Sequence, residues 1–206
     1  QLPAFDVHVP LLSIPGILSM GLDALPNQVP YLQVPVNKQE YWAGRLKSPD
    51  QLKIGITWQT STEQLSSSFK SCPLQAYAAL FGIEQVKWIS LQKEIPDSDL
   101  PLPPDIMDIS EDLADFSDTA AVISELDLVI SMDTAVAHLT GALGKPVWLL
   151  LSTAGDWRWM KDRNDSPWYP TMQIFRQTNF NDWNEILTRI RPQIEKLIVD
   201  KALNSA

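Results

Sequence analysis

Short apolar runs alternate with segments of helical period along most of this chain. KIGITW, from Lys53, reads as a strand, PLQAYAALFG as a helix closing at Gly82, and VKWISLQ as a second strand. The acidic, proline-rich loop EIPDSDLPLPPD follows, then DFSDTAAVISEL, a helix with Ser117 or Asp118 as its cap candidate. LDLVIS is a third strand, TAVAHLTGALG a helix ending at Gly144, and KPVWLLL a fourth strand. A long tryptophan-rich loop, STAGDWRWMKDRNDSPWYP, leads to a fifth short strand, MQIFR. NDWNEILTRIRPQIEKLIVDKAL closes the chain as an amphipathic helix that Pro192 should kink or divide. Strands that are apolar on both faces and alternate with helices specify a parallel sheet covered on each side. The expected fold class is therefore α/β, a Rossmann-like parallel sheet flanked by helices.

The first 45 residues read differently. Pro3, Pro10, Pro15, Pro26, Pro30 and Pro35 punctuate them, and no helical period is sustained. Proline fixes φ and removes a ladder donor, so residues 1–45 are expected to form an extended arm with short turns, and residues 46–206 the domain. The opening QLPAFDVHVPLLSIPG is apolar enough to need a packing partner, which points to an upstream region of the same protein.

Composition narrows the chemistry. A net charge of -9 argues against binding nucleic acid or anionic lipid through bulk charge. A local phosphate site is still open, because backbone N–H groups bind anions without net positive charge. The lone cysteine, Cys72, excludes an intrachain disulfide and fits a reducing compartment. No apolar run reaches the roughly 20 residues that span a bilayer, and no signal peptide is visible. The expected location is cytoplasmic.

The informative stretch is LDLVISMDTAVAHLTGALGKPVWLLL, where a strand gives way to a helix within Met132, Asp133 and Thr134. In open α/β sheets ligands bind beyond the carboxyl ends of the strands. Asp133 is placed as an N-cap, with or without ligand contact. Thr134, Ala135 and Val136 leave the helix start accessible, and its N–H groups and dipole suit a diphosphate. His138, four residues after Thr134, either donates from Nε2 to a phosphate oxygen or packs as a structural histidine.

DFSDTAAVISELDLVISMDTAVAHLTGALGKPVWLLL, with DWRW and DSPWYP after it, resembles the C-terminal region of bacterial glycosyltransferases related to the heptosyltransferases. It is most similar to the branch found downstream of tetratricopeptide repeats. FDVHVPLLSIPG and VPYL look like the stretch entering that region, so the resemblance covers nearly the whole chain. It implies a GT-B fold of two Rossmann-like domains, with this chain as the C-terminal, nucleotide-sugar-binding half. By that resemblance Asp133, Thr134, Ala135, Val136 and His138 hold the diphosphate, Thr60 and Ser61 donate to it, and Lys70 is the cation facing the phosphates or the leaving group. Gln92, Lys93 and Glu94 lie by the nucleoside, where a carboxylate suits ribose hydroxyls. The chain departs from its relatives at Gln59-Thr60-Ser61, where they tend to carry a glycine, and at the single Lys70, where they carry an arginine-rich turn. A glycine lets backbone approach phosphate closely, and a guanidinium binds it bidentately, so both departures bear on donor affinity.

The implied activity is a metal-independent transfer from a nucleotide-diphosphate sugar to an acceptor hydroxyl, with no cofactor. The acceptor, whether sugar, lipid-linked glycan or protein, is left open. The alternative is a degenerate GT-B-like scaffold beside tetratricopeptide repeats; a nucleotide-sugar epimerase is a more remote reading. Asp97-Ser98-Asp99 spells a metal-binding DxD, but the helix start already supplies the positive potential a metal would provide. Two histidines and one cysteine make no zinc cluster. Inverting transfer needs a base for the acceptor hydroxyl. In the heptosyltransferase relatives that base sits in the upstream domain, leaving Asp6 and His8 as the candidates within this chain. In the tryptophan-rich loop, Trp157, Trp159, Trp168 and Tyr169 either stack on sugar or base, or anchor the loop.

Overall fold

A computed structural model describes residues 4–60 and 67–204. Its centre is a six-stranded sheet of β1 (Leu52–Ile56), β2 (Val86–Ser90), β3 (Ile106–Met107), β4 (Leu128–Ser131), β5 (Val147–Leu151) and β6 (Met172–Arg176). The strand order is β3-β2-β1-β4-β5-β6 and every pairing is parallel. The helices are α1 (Ile14–Ile17), α2 (Val36–Arg45), α3 (Ser67–Lys70), α4 (Phe116–Ser124), α5 (Ala135–Ala142) and α6 (Trp183–Asn204). This is the doubly wound Rossmann order, whose connections diverge between β1 and β4.

Successive strand side chains point to opposite faces, and both faces are buried. Leu128 and Ile130 of β4, with Trp148 and Leu150 of β5, join one core cluster. Val129, Val147, Leu149 and Leu151 join the other. The first core is closed by α6, whose Trp183, Ile186, Leu187, Ile190 and Ile194 recur at helical spacing and are buried. The second is closed by α4 and α5 through Ala121, Val122, Ile123, Ala137 and Ala142. Gly55, in the middle of β1, admits Leu126 and Leu91: a Cβ there would stand 2.5 Å from one and 2.7 Å from the other.

Several elements differ from the sequence reading. The arm is not extended throughout, because α2 is a regular ten-residue helix packed on α4. Its anchor is Trp42, wholly buried, whose indole N–H donates to Asp118 at 3.3 Å, while Lys38 bonds the same carboxylate at 2.8 Å. Asp118 is thereby occupied, and the cap of α4 is Asp115, which accepts from the N–H groups of Ser117 and Asp118. The segment before Gly82 is a 3-10 helix, Leu74–Ala79, rather than an α-helix. Gly82 and Gly144 do take the left-handed conformation that ends such elements (φ 78° and 69°). Strand β3 follows the proline-rich loop directly, in a stretch to which the sequence reading gave no element, and α6 runs undivided through Pro192. No described helix is long and apolar enough to cross a membrane.

A cleft at the carboxyl ends of the central strands

A cleft of about 450 Å³ opens beyond the carboxyl ends of β1, β2 and β4, at the point where the sheet connections diverge. One wall is the β4–α5 junction, Asp133 through Val136. The second is the end of β1, with Thr57, Gln59 and Thr60, beside Lys70 of α3. The third is Leu91 to Glu94 after β2, with Phe116 and Thr119 of α4 facing it.

Hydroxyl groups tie the floor together. Thr57 Oγ1 and Ser131 Oγ, both buried, lie 2.8 Å apart across β1 and β4. Ser131 Oγ donates to the Met132 carbonyl and stands 3.2 Å from Thr134 Oγ1, which orients the threonine at the mouth. Tyr77 donates to the Thr57 carbonyl from below at 3.2 Å.

The start of α5 is open. Thr134, not Asp133, is its N-cap residue, and the Thr134 side chain makes no capping bond. The Thr134 amide turns back to the Met132 carbonyl and the Ala137 amide bonds the Thr134 carbonyl, while Ala135 and Val136, the first two residues of the helix, line the cleft. Expectation and geometry part at Asp133, which lines the cleft without capping the helix.

Gln92 is spent within the protein. Its side-chain oxygen accepts from the amides of Trp58 and Gln59 at 3.3 and 3.1 Å, and its nitrogen donates to the Glu94 carbonyl. It thus clamps the ends of β1 and β2 together. Lys93 Nζ donates to the Ser110 carbonyl at 2.8 Å. Thr60 bonds Ser71 through its amide at 3.0 Å. Glu94 and Lys70 line the cleft, while Ser61 lies outside the described residues. Asp156 reports the position of Lys70. Burial pushes its carboxyl up, but hydrogen bonds from Arg158 and the charges of Arg158 and Lys70 bring it below its ordinary value.

Three candidates lie away from the cleft. His138 is packed between Trp159, stacked at 5.1 Å, and Tyr169, whose hydroxyl is 3.0 Å from Nδ1. Burial holds its imidazole below the ordinary value, partly offset by the Asp133 charge. Asp6 and His8 sit exposed on the arm, where His8 packs edge-on against Phe5, and neither lines the cleft. In the tryptophan-rich loop Trp159 is wholly buried, Tyr169 nearly so, and Trp168 donates to the Arg158 carbonyl. These three anchor the loop, Trp168 from a half-buried position, while Trp157 is 65% exposed beneath the Arg158 guanidinium.

The DxD segment is a 3-10 turn whose Asp99 is buried and accepts from the Trp58 indole at 2.8 Å and from Gln59 at 3.3 Å. Its carboxylate holds the end of β1 in place. Asp99→Ala is expected to destabilise the fold by about 1–3 kcal/mol, because it orphans a buried indole N–H. An unchanged denaturation midpoint would contradict this role.

Sequence reading missed Thr57, Gln59, Leu91, Phe116 and Thr119 as lining residues. The signal for the first three was available: they border Thr60 and Gln92 at the ends of strands already identified. Nothing local marks Phe116 and Thr119, which reach the cleft only through the packing of α4.

Residues 113–179 match the model of glycosyltransferase family 9 (heptosyltransferase). No curated protein sequence matches the chain. Among solved structures the fold is similar to E. coli ADP-heptose LPS heptosyltransferase II, at 17% identity and a TM-score of 0.54, over 89% of this chain and 57% of that one. It is similar to a glycosyl transferase family 9 protein from Veillonella parvula DSM 2008, at 12% identity and a TM-score of 0.59, over 86% and 56%. E. coli heptosyltransferase WaaC with ADP matches at 15% identity and a TM-score of 0.53, over 84% and 52%. The chain thus spans little more than half the length of the structures it resembles. Over residues 113–179 the chain is similar to glycosyltransferase family 9, within a domain whose parallel, Rossmann-like sheet is the fold seen in GT-B glycosyltransferase structures.

Proposed function

We propose that the cleft binds the diphosphate of a nucleotide-diphosphate sugar, whose sugar is transferred to an acceptor hydroxyl without a resident metal ion. The observation that carries this is the uncapped start of α5, which opens on the cleft opposite Lys70. Breaking the bond between the sugar and the diphosphate leaves negative charge on the leaving group. Fixed amides at a helix start and a nearby ammonium stabilise that charge without reorganising. Thr134 Oγ1 stands at the mouth beside Ser131 Oγ, and an arriving phosphate oxygen would have to take over the proton it shares there. Glu94 and the apolar surfaces of Leu91 and Phe116 form the end suited to a nucleoside, with the carboxylate available to ribose hydroxyls.

The acceptor's base is assigned to an upstream domain of the same protein, since neither Asp6 nor His8 lines the cleft. The scaffold alternative gains nothing from the geometry, because Thr134 makes no capping bond of its own and Ala135 and Val136 line the cleft.

Lys70→Ala is expected to weaken nucleotide-diphosphate binding more at about 0.01 M salt than at about 1 M, where the Debye length has fallen to roughly 3 Å. Calorimetric titration with UDP, GDP and ADP checks this. A loss that ignores salt would assign Lys70 to packing.

A further inference from the structure

No residue of α2 lines the cleft, yet this helix of the arm is packed on α4, whose Phe116 and Thr119 do. Lys38, in the first turn of α2, reaches two carboxylates at the start of α4. Its ammonium is 3.0 Å from Asp115 Oδ1 and 2.8 Å from Asp118 Oδ2. Asp115 is the N-cap of α4 and accepts from the amides of Ser117 and Asp118. Asp118 also accepts from the Ala114 amide at 3.2 Å and from the Trp42 indole at 3.3 Å.

The residues that Lys38 holds and those that line the cleft alternate along the chain: Asp115 then Phe116, Asp118 then Thr119. Residues three apart share a helix face, and neighbours in sequence point about 100° away from each other. The first turn of α4 is thus taken by Lys38 on one side and presented to the cleft on the next. Thr119 is tied to the same cap, its hydroxyl donating to the Asp115 carbonyl at 3.4 Å.

The Asp118 side chain is 11% exposed, so its ion pair is screened less than a surface pair. Without the ammonium, two carboxylates that converge on one point would face each other and repel. The arm would still be seated, because Trp42 is wholly buried, Arg45 pairs with Asp112, and the Tyr31 amide bonds the Ala142 carbonyl.

Resting on the donor-site reading above, we infer that Lys38 is a positioning residue for the nucleoside end of the cleft. By drawing Asp115 and Asp118 together it fixes the first turn of α4, and with it Phe116 and Thr119 facing Leu91 and Glu94. It acts through α4 alone; the diphosphate end, at the start of α5 and Lys70, is independent of it.

The test is calorimetric titration of the whole chain with UDP, GDP and ADP and, separately, with inorganic pyrophosphate, beside a thermal melt. Lys38→Met removes the ammonium and keeps most of the side chain's length. It is expected to weaken the best-binding nucleotide about 3- to 10-fold, the size usual for a residue coupled to a ligand through packed neighbours, with pyrophosphate affinity unchanged. Lys38→Arg returns a cation between the carboxylates and is expected to regain most of the loss. Arg45→Ala cuts a different tie of α2, the one to Asp112, and is expected to leave nucleotide affinity unchanged. Wild-type nucleotide affinity in Lys38→Met overturns the inference and leaves the donor site standing. A loss shared equally by pyrophosphate, or by Arg45→Ala, overturns it too, because general loosening of the domain would then account for it. Absence of wild-type binding to all three nucleotides overturns the donor site, and the positioning role with it.

Discussion

Thr134→Asp is expected to weaken nucleotide-diphosphate binding by about 10- to 100-fold while leaving the melting temperature unchanged or slightly raised. The two effects separate because the residue serves the ligand and the helix differently. Thr134 occupies the N-cap position of α5 without capping it; its hydroxyl is turned toward Ser131 instead. Aspartate is among the best N-cap residues and adds a negative charge at the positive end of the helix dipole, so the fold tolerates it. The same carboxylate stands where the diphosphate must sit. Two like charges at about 4 Å repel by about 1–4 kcal/mol at the effective dielectric of a partly exposed site. Calorimetry with UDP, GDP and ADP, beside a thermal melt, checks both halves. Equal affinity in the variant would place the anion elsewhere.

Gly141→Ala is expected to destabilise the domain by about 1–3 kcal/mol, against the gain of about 1 kcal/mol that alanine usually brings to a helix interior. The sign reverses because the new Cβ would lie 2.4 and 2.5 Å from atoms of the Tyr169 ring, far inside contact distance. Tyr169 is nearly buried, with its ring against α5 and its hydroxyl on His138, so it cannot simply swing aside. For a domain of this size the loss corresponds to a fall in melting temperature of about 2–12 °C. A melt at or above that of the wild type would show that the ring has room to move. The packing of the tryptophan-rich loop on α5 would then be looser than described.

What could be read from the sequence follows from how local each feature is. The β4–α5 junction was legible because everything that defines it lies between Leu128 and Ala142: a buried strand, a three-residue turn and a helix of small residues closed by Gly144. Helix α2 was not, since Trp42 is its one fully buried residue and a single anchor leaves no apolar stripe to count. Strand β3 has two residues, too few for any period to show. The cap of α4 was misplaced because Ser117 and Asp118 are as good cap residues as Asp115. Only the bonds of Asp118 to Lys38 and Trp42, distant in sequence, decide between them.

The same division runs through the site. Lys70, Glu94 and the Asp133–Val136 turn were found from strand ends and from family resemblance, and the fold brings them to one cleft. Gln92 was assigned to the nucleoside, yet its amide is committed to Trp58 and Gln59, a consequence of β1 and β2 lying side by side. The surroundings of His138 come from Trp159 and Tyr169, on a loop whose path no local rule supplies. Asp99 shows the converse, a motif that spells a metal site and serves instead to seat a buried tryptophan.

The most direct test of the account is backbone amide NMR of the chain titrated with UDP, GDP and ADP. If the start of α5 grips the diphosphate, the amides of Ala135 and Val136 shift furthest with at least one nucleotide, and Thr134→Asp abolishes those shifts. Saturable binding that leaves both amides unmoved would contradict it, as would no binding at all.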